Sequence, residues 1–374
     1  MTHARLSPSS SSRWLQCTAS VKATENYPST TNSAAEWGTN AHFIGEQLLN
    51  GREIKVGEML TEGDRNPFRV DEELLQCSTE YAEYVQSFIK KDSVVIIEEQ
   101  YDLSCISPDQ FGTSDATVLD GTHLHIFDLK SGRGIVMAKM NTQMMLYAIG
   151  AVEELGDIYD IHTVTLHIVQ TRAGHIDSWD LDIADLMSFK TFAQTQAKRI
   201  LDDNVSFDPS EKACQWCDHK VHCETLKTHV DSVITGQFDD IEDVEGKANL
   251  IDHEHIANIL KNKELIIGFM KAVEEFALTK MQEGEEFKGF KLVEAKTNRK
   301  WIDEEAVAKY LNRKIKPAEL WVKKLIPMTK ILKLRPKDKK LEEMLVKPEG
   351  KPTIAKNSDP RPPLSAVADE FDEV

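Results

Sequence analysis

No stretch of this sequence approaches the roughly 18 consecutive apolar residues that a membrane span requires, and its opening MTHARLSPSSSSRWLQC lacks the apolar block of a secretory signal. These absences predict a cytoplasmic protein with no membrane partner. A G-x-x-x-x-G-K-[ST] phosphate loop is also missing, so any unwinding of nucleic acid would have to come from a partner. No internal repeat is apparent. Overall positive charge is lacking too: the 374 residues carry a formal −17, which argues at first sight against a polyanionic ligand, because phosphates are gripped by Lys and Arg. The average hides an asymmetry, since residues 288–340 hold 17 Lys or Arg against 6 acids, a local +11 that leaves −28 for the rest. Such a segment reads either as a nucleic-acid-facing appendage or as a solvated face. Cysteines number only six, and in a long cytosolic chain they point to metal or redox chemistry rather than to a disulfide framework.

What is present reads as a mixed α/β chain. With 41% apolar residues it can bury a real core, as one large domain with appendages or as two domains. Ser33-Ala34-Ala35-Glu36 has the capping-box pattern and opens a helix through WGTNAHFIGEQLL, on which His42 and Glu46 share a face. A second helical pattern covers roughly 71–90. Three strands are expected next: VVIIEEQYDL (94–103), GTSDATVLDG (112–121) and THLHIFDLK (122–130), with Asp120-Gly121 as the hairpin turn. A helix over about 139–154, a strand TVTLHIVQT (163–171), a short strand near Ile176–Leu181 and a long helix to about 203 follow.

The strand reading has a chemical consequence. Period-2 alternation sends Asp128 and Lys130 to one face of their strand and Leu129 to the other. With Asp120-Gly121 as a two-residue turn, Asp115 pairs with Ile126 and lies on the same face as Asp128, on a cross-strand diagonal of about 7–8 Å. Two carboxylates at that spacing can share a hard cation such as Mg or Mn. A lysine beside them can serve the attacking water and offset developing charge, the set that phosphodiester hydrolysis calls for. Glu98 and Glu99 could add a ligand, but as a pair on the first strand they read as an exposed edge.

These residues, in this order, resemble the PD-(D/E)XK nuclease superfamily, specifically its RecB-type exonuclease branch. The resemblance rests on GTSD (Gly112 to Asp115), a hydrophobic strand ending in DLK (Asp128 to Lys130), a helix carrying QMMLY (Gln143 to Tyr147) like that branch's Q-x-x-x-Y signature, and GTNAHFIGE, which sets His42 where the family has a histidine ligand. It implies a restriction-endonuclease-like core, a mixed central sheet flanked by helices. It also implies that Asp115, Asp128, His42 and the Leu129 carbonyl hold the metal, that Lys130 serves the water, and that Gln143 and Tyr147 shape the site and contact DNA.

Cys214-Gln-Trp-Cys217 and then Cys223 give C-x2-C-x5-C, and a tetrahedral or iron–sulfur site wants a fourth ligand. Cys17 is the natural candidate, closing a loop of almost two hundred residues. One early and three late cysteines bracketing the catalytic motifs are similar to the iron–sulfur clasp, 4Fe-4S in type, of AddB-type and CRISPR-adaptation nucleases. A structural zinc on Cys214, Cys217, Cys223 and either His219 or His222 is the alternative. Cys77 sits on the apolar face of its helix and reads as a buried thiol; Cys105 is left over.

The expected organisation is a nuclease domain over 1–228, a mainly helical basic accessory region over 229–345, and a flexible tail over 346–374. The expected function is an exonuclease acting on single-stranded DNA or DNA with accessible ends, in recombination, repair or processing, with a recombinase, annealing protein or helicase as companion. The resemblance from end to end is to a phage and prophage family, which would place the protein in the host cytoplasm. A catalytically silent DNA-binding scaffold and a zinc-stabilised adaptor are the competing readings.

Overall fold

The structure, a computed structural model, describes residues 4–27, 33–63, 65–235 and 253–291. The basic segment beyond residue 291 and the tail over 346–374 lie outside the described residues. The chain divides into two compact units, Met1–Lys280 and Met281–Val374. None of the described helices is long and apolar enough to cross a membrane.

In chain order the helices are α1 (Ser11–Trp14), α2 (Ser20–Thr24), α3 (Ser33–Leu49), α4 (Glu72–Gln86), α5 (Thr142–Leu155), α6 (Ile183–Leu201), α7 (Glu211–Gln215), α8 (Glu224–Thr235) and α9 (His253–Gln282). A small ribbon pairs β1 (Met59–Leu60) with β2 (Phe68–Arg69). The main sheet has five strands in the order β3 (Val94–Asp102), β4 (Phe111–Asp120), β5 (His123–Leu129), β6 (Thr163–Gln170) and β7 (His175–Asp182). Only β5 and β6 run parallel, because only they are joined through a helix, α5, rather than a short connection.

The alternation of β5 decides which helices cover which face. Leu124 and Ile126 point into a core shared with Met144, Leu146 and Ile149 of α5 and with Leu186 and Ala193 of α6. Phe127 and Leu129 point the other way, into a core shared with Ala41 and Ile44 of α3 and with Tyr81 and Val85 of α4. The sheet is thus covered on both faces, and each fully buried Leu, Ile or Phe contributes about 1.5–3 kcal/mol. Asp71 and Asn141 start α4 and α5 by accepting from the amides of Leu74 (2.7 Å) and Met144 (3.2 Å), the expected N-cap geometry.

One expectation needs correction. The β4–β5 turn is Gly121-Thr122, with Asp120 opposite His123 and Ala116 opposite Phe127. An Asp120-Gly121 turn of type I′ would need positive φ at both residues, and of the two only Gly121, at +61°, has it. Glycine instead takes the first central position, where a type II′ turn places it. The register moves by two residues, so every side chain keeps its predicted face.

The amino-terminal segment is tied across the fold. Trp14 is buried, Ser11 Oγ lies 2.7 Å from Thr142 Oγ1 at the start of α5, and Gln196 of α6 donates to the Leu15 carbonyl at 2.8 Å. Thr18 Oγ1 accepts from the Ser206 amide at 2.9 Å, and the Ala19 amide donates to the Ser206 carbonyl at 3.1 Å. These bonds lay Cys17 beside the segment that carries Cys214, Cys217 and Cys223.

Candidate active site and cysteine clasp

Continuing the β4–β5 register one step past Ala116 and Phe127 brings Asp115 opposite Asp128, closer than the diagonal the sequence suggested. Both carboxylates are buried. Asp115 Oδ2 accepts from the Leu129 amide at 2.6 Å and Oδ1 lies 3.1 Å from His42 Nδ1. Lys130 Nζ lies 2.8 Å from Asp128 Oδ2 and donates to Gln143 Oε1 at 3.0 Å. Gln143 Nε2 donates to the Tyr147 hydroxyl at 2.8 Å and, weakly, to Asp128 Oδ1 at 3.4 Å. One amide therefore fixes the lysine, the tyrosine and an aspartate together, which accounts for the i, i+4 spacing of Gln143 and Tyr147 on α5. Gly112 completes the packing: a Cβ there would meet Pro8 Cγ at 2.5 Å and Tyr147 Cε1 at 2.9 Å.

All the side chains expected in the site converge: His42, Asp115, Asp128, Lys130, Gln143 and Tyr147. Leu129 reaches it through its amide, while its side chain is buried on the opposite face. Sequence reasoning set Glu98 aside, yet its carboxylate joins Asp115 and His42, the three ligand atoms lying within 4.8 Å of one another. Glu98 has φ +52° in the middle of β3, where the pairing with β4 skips from Ile97–Ala116 to Glu99–Ser114. A left-handed non-glycine residue inside a strand costs of order 1–3 kcal/mol and clusters at functional sites. Two adjacent glutamates give no sequence signal for which one turns inward.

The electrostatics describe an acid-rich pocket. Burial, then the charge of Asp115, pushes Glu98 up to about 8. Burial and Asp115 likewise raise Asp128, against the pull of Lys130. Burial alone would lower His42, but the Asp115 carboxylate overrides it and lifts the imidazole to about 9. Burial would raise Asp115, and His42 with the Leu129 amide hold it below the usual carboxylate range. Asp128 Oδ2 is buried with no well-aligned hydrogen-bond donor, since the nearby ammonium approaches off-axis. Glu98, Asp115 and the His42 imidazole make a donor set suited to a hard or borderline divalent cation, with the Asp128 carboxylate beside them but outside that 4.8 Å group.

The four cysteines meet as well: Cys17, Cys214, Cys217 and Cys223 line one void, with His219 at its rim. Burial raises the thiol pKa of Cys17, Cys217 and Cys214, the last to about 11, with the neighbouring sulfurs adding to the rise. Only a cation would draw such thiols into the thiolate form. Among the described residues, His42, Glu98 and Asp115 are the only group to bring three such ligand atoms within 4.8 Å, so no three of these sulfurs are that close. Cys77 is buried on α4 as expected, and Thr171 donates to its sulfur at 3.0 Å.

Among solved structures, "Crystal structure of SSO0001" shares 13% identity with this chain, over 58% of it and 85% of the other, at a TM-score of 0.31; so loose an overlap bears no weight. The model of the family described as "Protein of unknown function (DUF2800)" matches residues 3–362, and the chain belongs to that family.

Proposed function

We propose that this chain is a metal-dependent DNA nuclease of the PD-(D/E)XK type, with a restriction-endonuclease-like core, that hydrolyses phosphodiester bonds as an exonuclease. The observation that carries the reading is the convergence of Asp115, Asp128, Glu98 and His42 with Lys130 on one buried face of the β4–β5 hairpin. His42, Glu98, Asp115 and Asp128 would hold Mg or Mn, which supplies charge stabilisation at the phosphate and makes water a better nucleophile. Lys130, held by Gln143 and Asp128, would orient that water and donate to the phosphate oxygen that gains charge. Tyr147 fixes Gln143 from behind and, with its phenol pushed far up by burial and by Asp128, stays a neutral hydroxyl. The cysteine ring would hold a structural iron–sulfur cluster that locks the amino-terminal segment to residues 206–223. DNA with accessible ends would be the substrate, and recombination or repair of phage or prophage DNA in the host cytoplasm the setting.

The test compares wild type with Asp128→Ala on end-labelled single- and double-stranded DNA in Mg or Mn. Wild type should degrade DNA and the variant should lose at least about a thousandfold in rate, a charge-stabilising group being worth about 10²–10³ by itself. Equal cleavage by both, or none by wild type, would overturn the assignment. DNA binding with no cleavage would favour a silent scaffold.

A further inference from the structure

Lys130 and Gln143 are joined by a connection, residues 131–141, that is apolar on its outside. Ile135, Met137 and Met140 are 57%, 54% and 56% exposed. Arg133 and Lys139 are exposed beside them, and among the described residues neither has a hydrogen-bond or ion-pair partner. The stretch contains no acid, in a chain of formal charge −17.

This connection is clamped rather than slack. The amides of Val136 and Ala138 donate to Gln170 Oε1 and Asp177 Oδ2, each at 2.7 Å. Gln170, fully buried, also donates to the carbonyls of Gly132 and Gly134 at 3.2 and 2.9 Å, and His175 Nε2 lies 3.2 Å from the Val136 carbonyl. Asn141 donates to the Met137 carbonyl at 3.2 Å while capping α5. Ala138 is wholly buried, and Met140 is held at φ +57°. The clamps from β6 and β7 thus fix Val136 and Ala138 inward and leave Ile135, Met137 and Met140 facing out. Large apolar side chains on a fixed, exposed segment bordered by free cations suit a ligand with flat apolar surfaces along an anionic thread.

We propose that residues 131–141 form a platform on which Ile135, Met137 and Met140 pack against unpaired bases of the strand being cut, while Arg133 and Lys139 hold its phosphates. The proposal rests on the nuclease reading, since it places the platform between two residues of that site. Apolar side chains of this kind insert at base steps in known modes of DNA binding, base faces accept them without regard to sequence, and the phosphate contacts make binding salt-dependent.

The experiment uses the full chain carrying Asp128→Asn, so that no strand is cut, and measures anisotropy of a labelled oligothymidylate against an abasic strand of equal length. The added substitution Ile135→Ser/Met137→Ser/Met140→Ser should weaken binding of the base-bearing strand at least about tenfold and leave the abasic strand unchanged. Arg133→Ala/Lys139→Ala should weaken both strands alike and flatten the salt dependence. An equal thermal midpoint in the triple-serine protein shows that these exposed positions do not act through folding. Equal affinity for the two strands before mutation, or equal loss on both after it, overturns the platform while cleavage by wild type keeps the nuclease. A change of oligomeric state in the triple-serine protein with DNA binding intact also overturns the platform, assigning the patch to a protein partner. Wild type that leaves DNA uncut, with base-dependent binding preserved, sinks the nuclease reading alone; no binding to either strand sinks both.

Discussion

Two buried histidines on β5 and β6, on the face opposite Asp128, should each contribute a loss of stability when the pH falls from 7 to 5. His125 Nδ1 lies 3.1 Å from His167 Nε2, whose Nδ1 lies 3.0 Å from the Tyr84 hydroxyl. Phe88 and Phe127 pack against both rings, and His123 stacks on His125 at 4.2 Å. Burial, then the neighbouring His123, lowers His125 to about 4; burial, then His125, lowers His167 to about 3. Both rings are neutral in the folded state at pH 5, whereas in the unfolded chain, with a pKa of about 6.5, they are mostly protonated. The unfolded state binds more protons, so stability falls as pH falls below 6.5, by about 1.4 kcal/mol per unit per histidine, until the folded values are reached. Between pH 7 and 5 that is about 2 kcal/mol each, or about 4 kcal/mol for the pair, a large share of the roughly 5–15 kcal/mol typical of a domain. With an m-value of about 2.5 kcal/mol/M, the contribution of the pair alone corresponds to about 1.5 M of urea midpoint. Glu98 and Asp128, both raised, act in the opposite sense on acidification, so the assay is a difference. Urea unfolding followed by circular dichroism at pH 7 and pH 5 is compared between wild type and His167→Gln. The glutamine protein starts less stable but should show roughly 2 kcal/mol less acid sensitivity. An unchanged pH slope would refute the reasoning.

Glu98→Gln should weaken Mn binding at least about tenfold in calorimetric titration, about 1.4 kcal/mol, while the metal-free protein melts no lower, because a repelled carboxylate is gone; intact Mn affinity would return Glu98 to the surface reading. Gly112→Ala should destabilise by about 1–3 kcal/mol in thermal melts, since Pro8 and Tyr147 occupy the space its methyl needs, and unchanged melting would contradict that packing. Protein purified without air should be brown, and Cys217→Ser should lose the colour and expose residues 4–27 to limited proteolysis; a colourless, zinc-loaded wild type would defeat the iron–sulfur assignment.

Much of this site was legible because strand parity is robust. Asp115, Asp128 and Lys130 share a face under either hairpin register, as the two differ by two residues, so misplacing the turn moved Asp115 from a diagonal to a directly opposed position without turning it outward. The turn itself was misread because Asp-Gly favours type I′, whereas glycine here takes the leading position. Glu98 was illegible for a different reason: its left-handed backbone breaks the alternation from which faces are inferred. The meeting of the four cysteines around one void was legible through their spacing, but the hydrogen bonds that seat Cys17, between Thr18 or Ala19 and Ser206, join residues too distant for any local pattern to reveal.

Those same bonds set an order of events for a chain made from its amino terminus. Leu15 and Thr18 leave the ribosome long before Gln196 and Ser206 exist to pair with them, so this segment must wait, unsatisfied, through the synthesis of the whole sheet. Contacts of such long sequence separation form slowly, and docking of this segment would be the last act of folding, after the strands bearing the carboxylates have already paired.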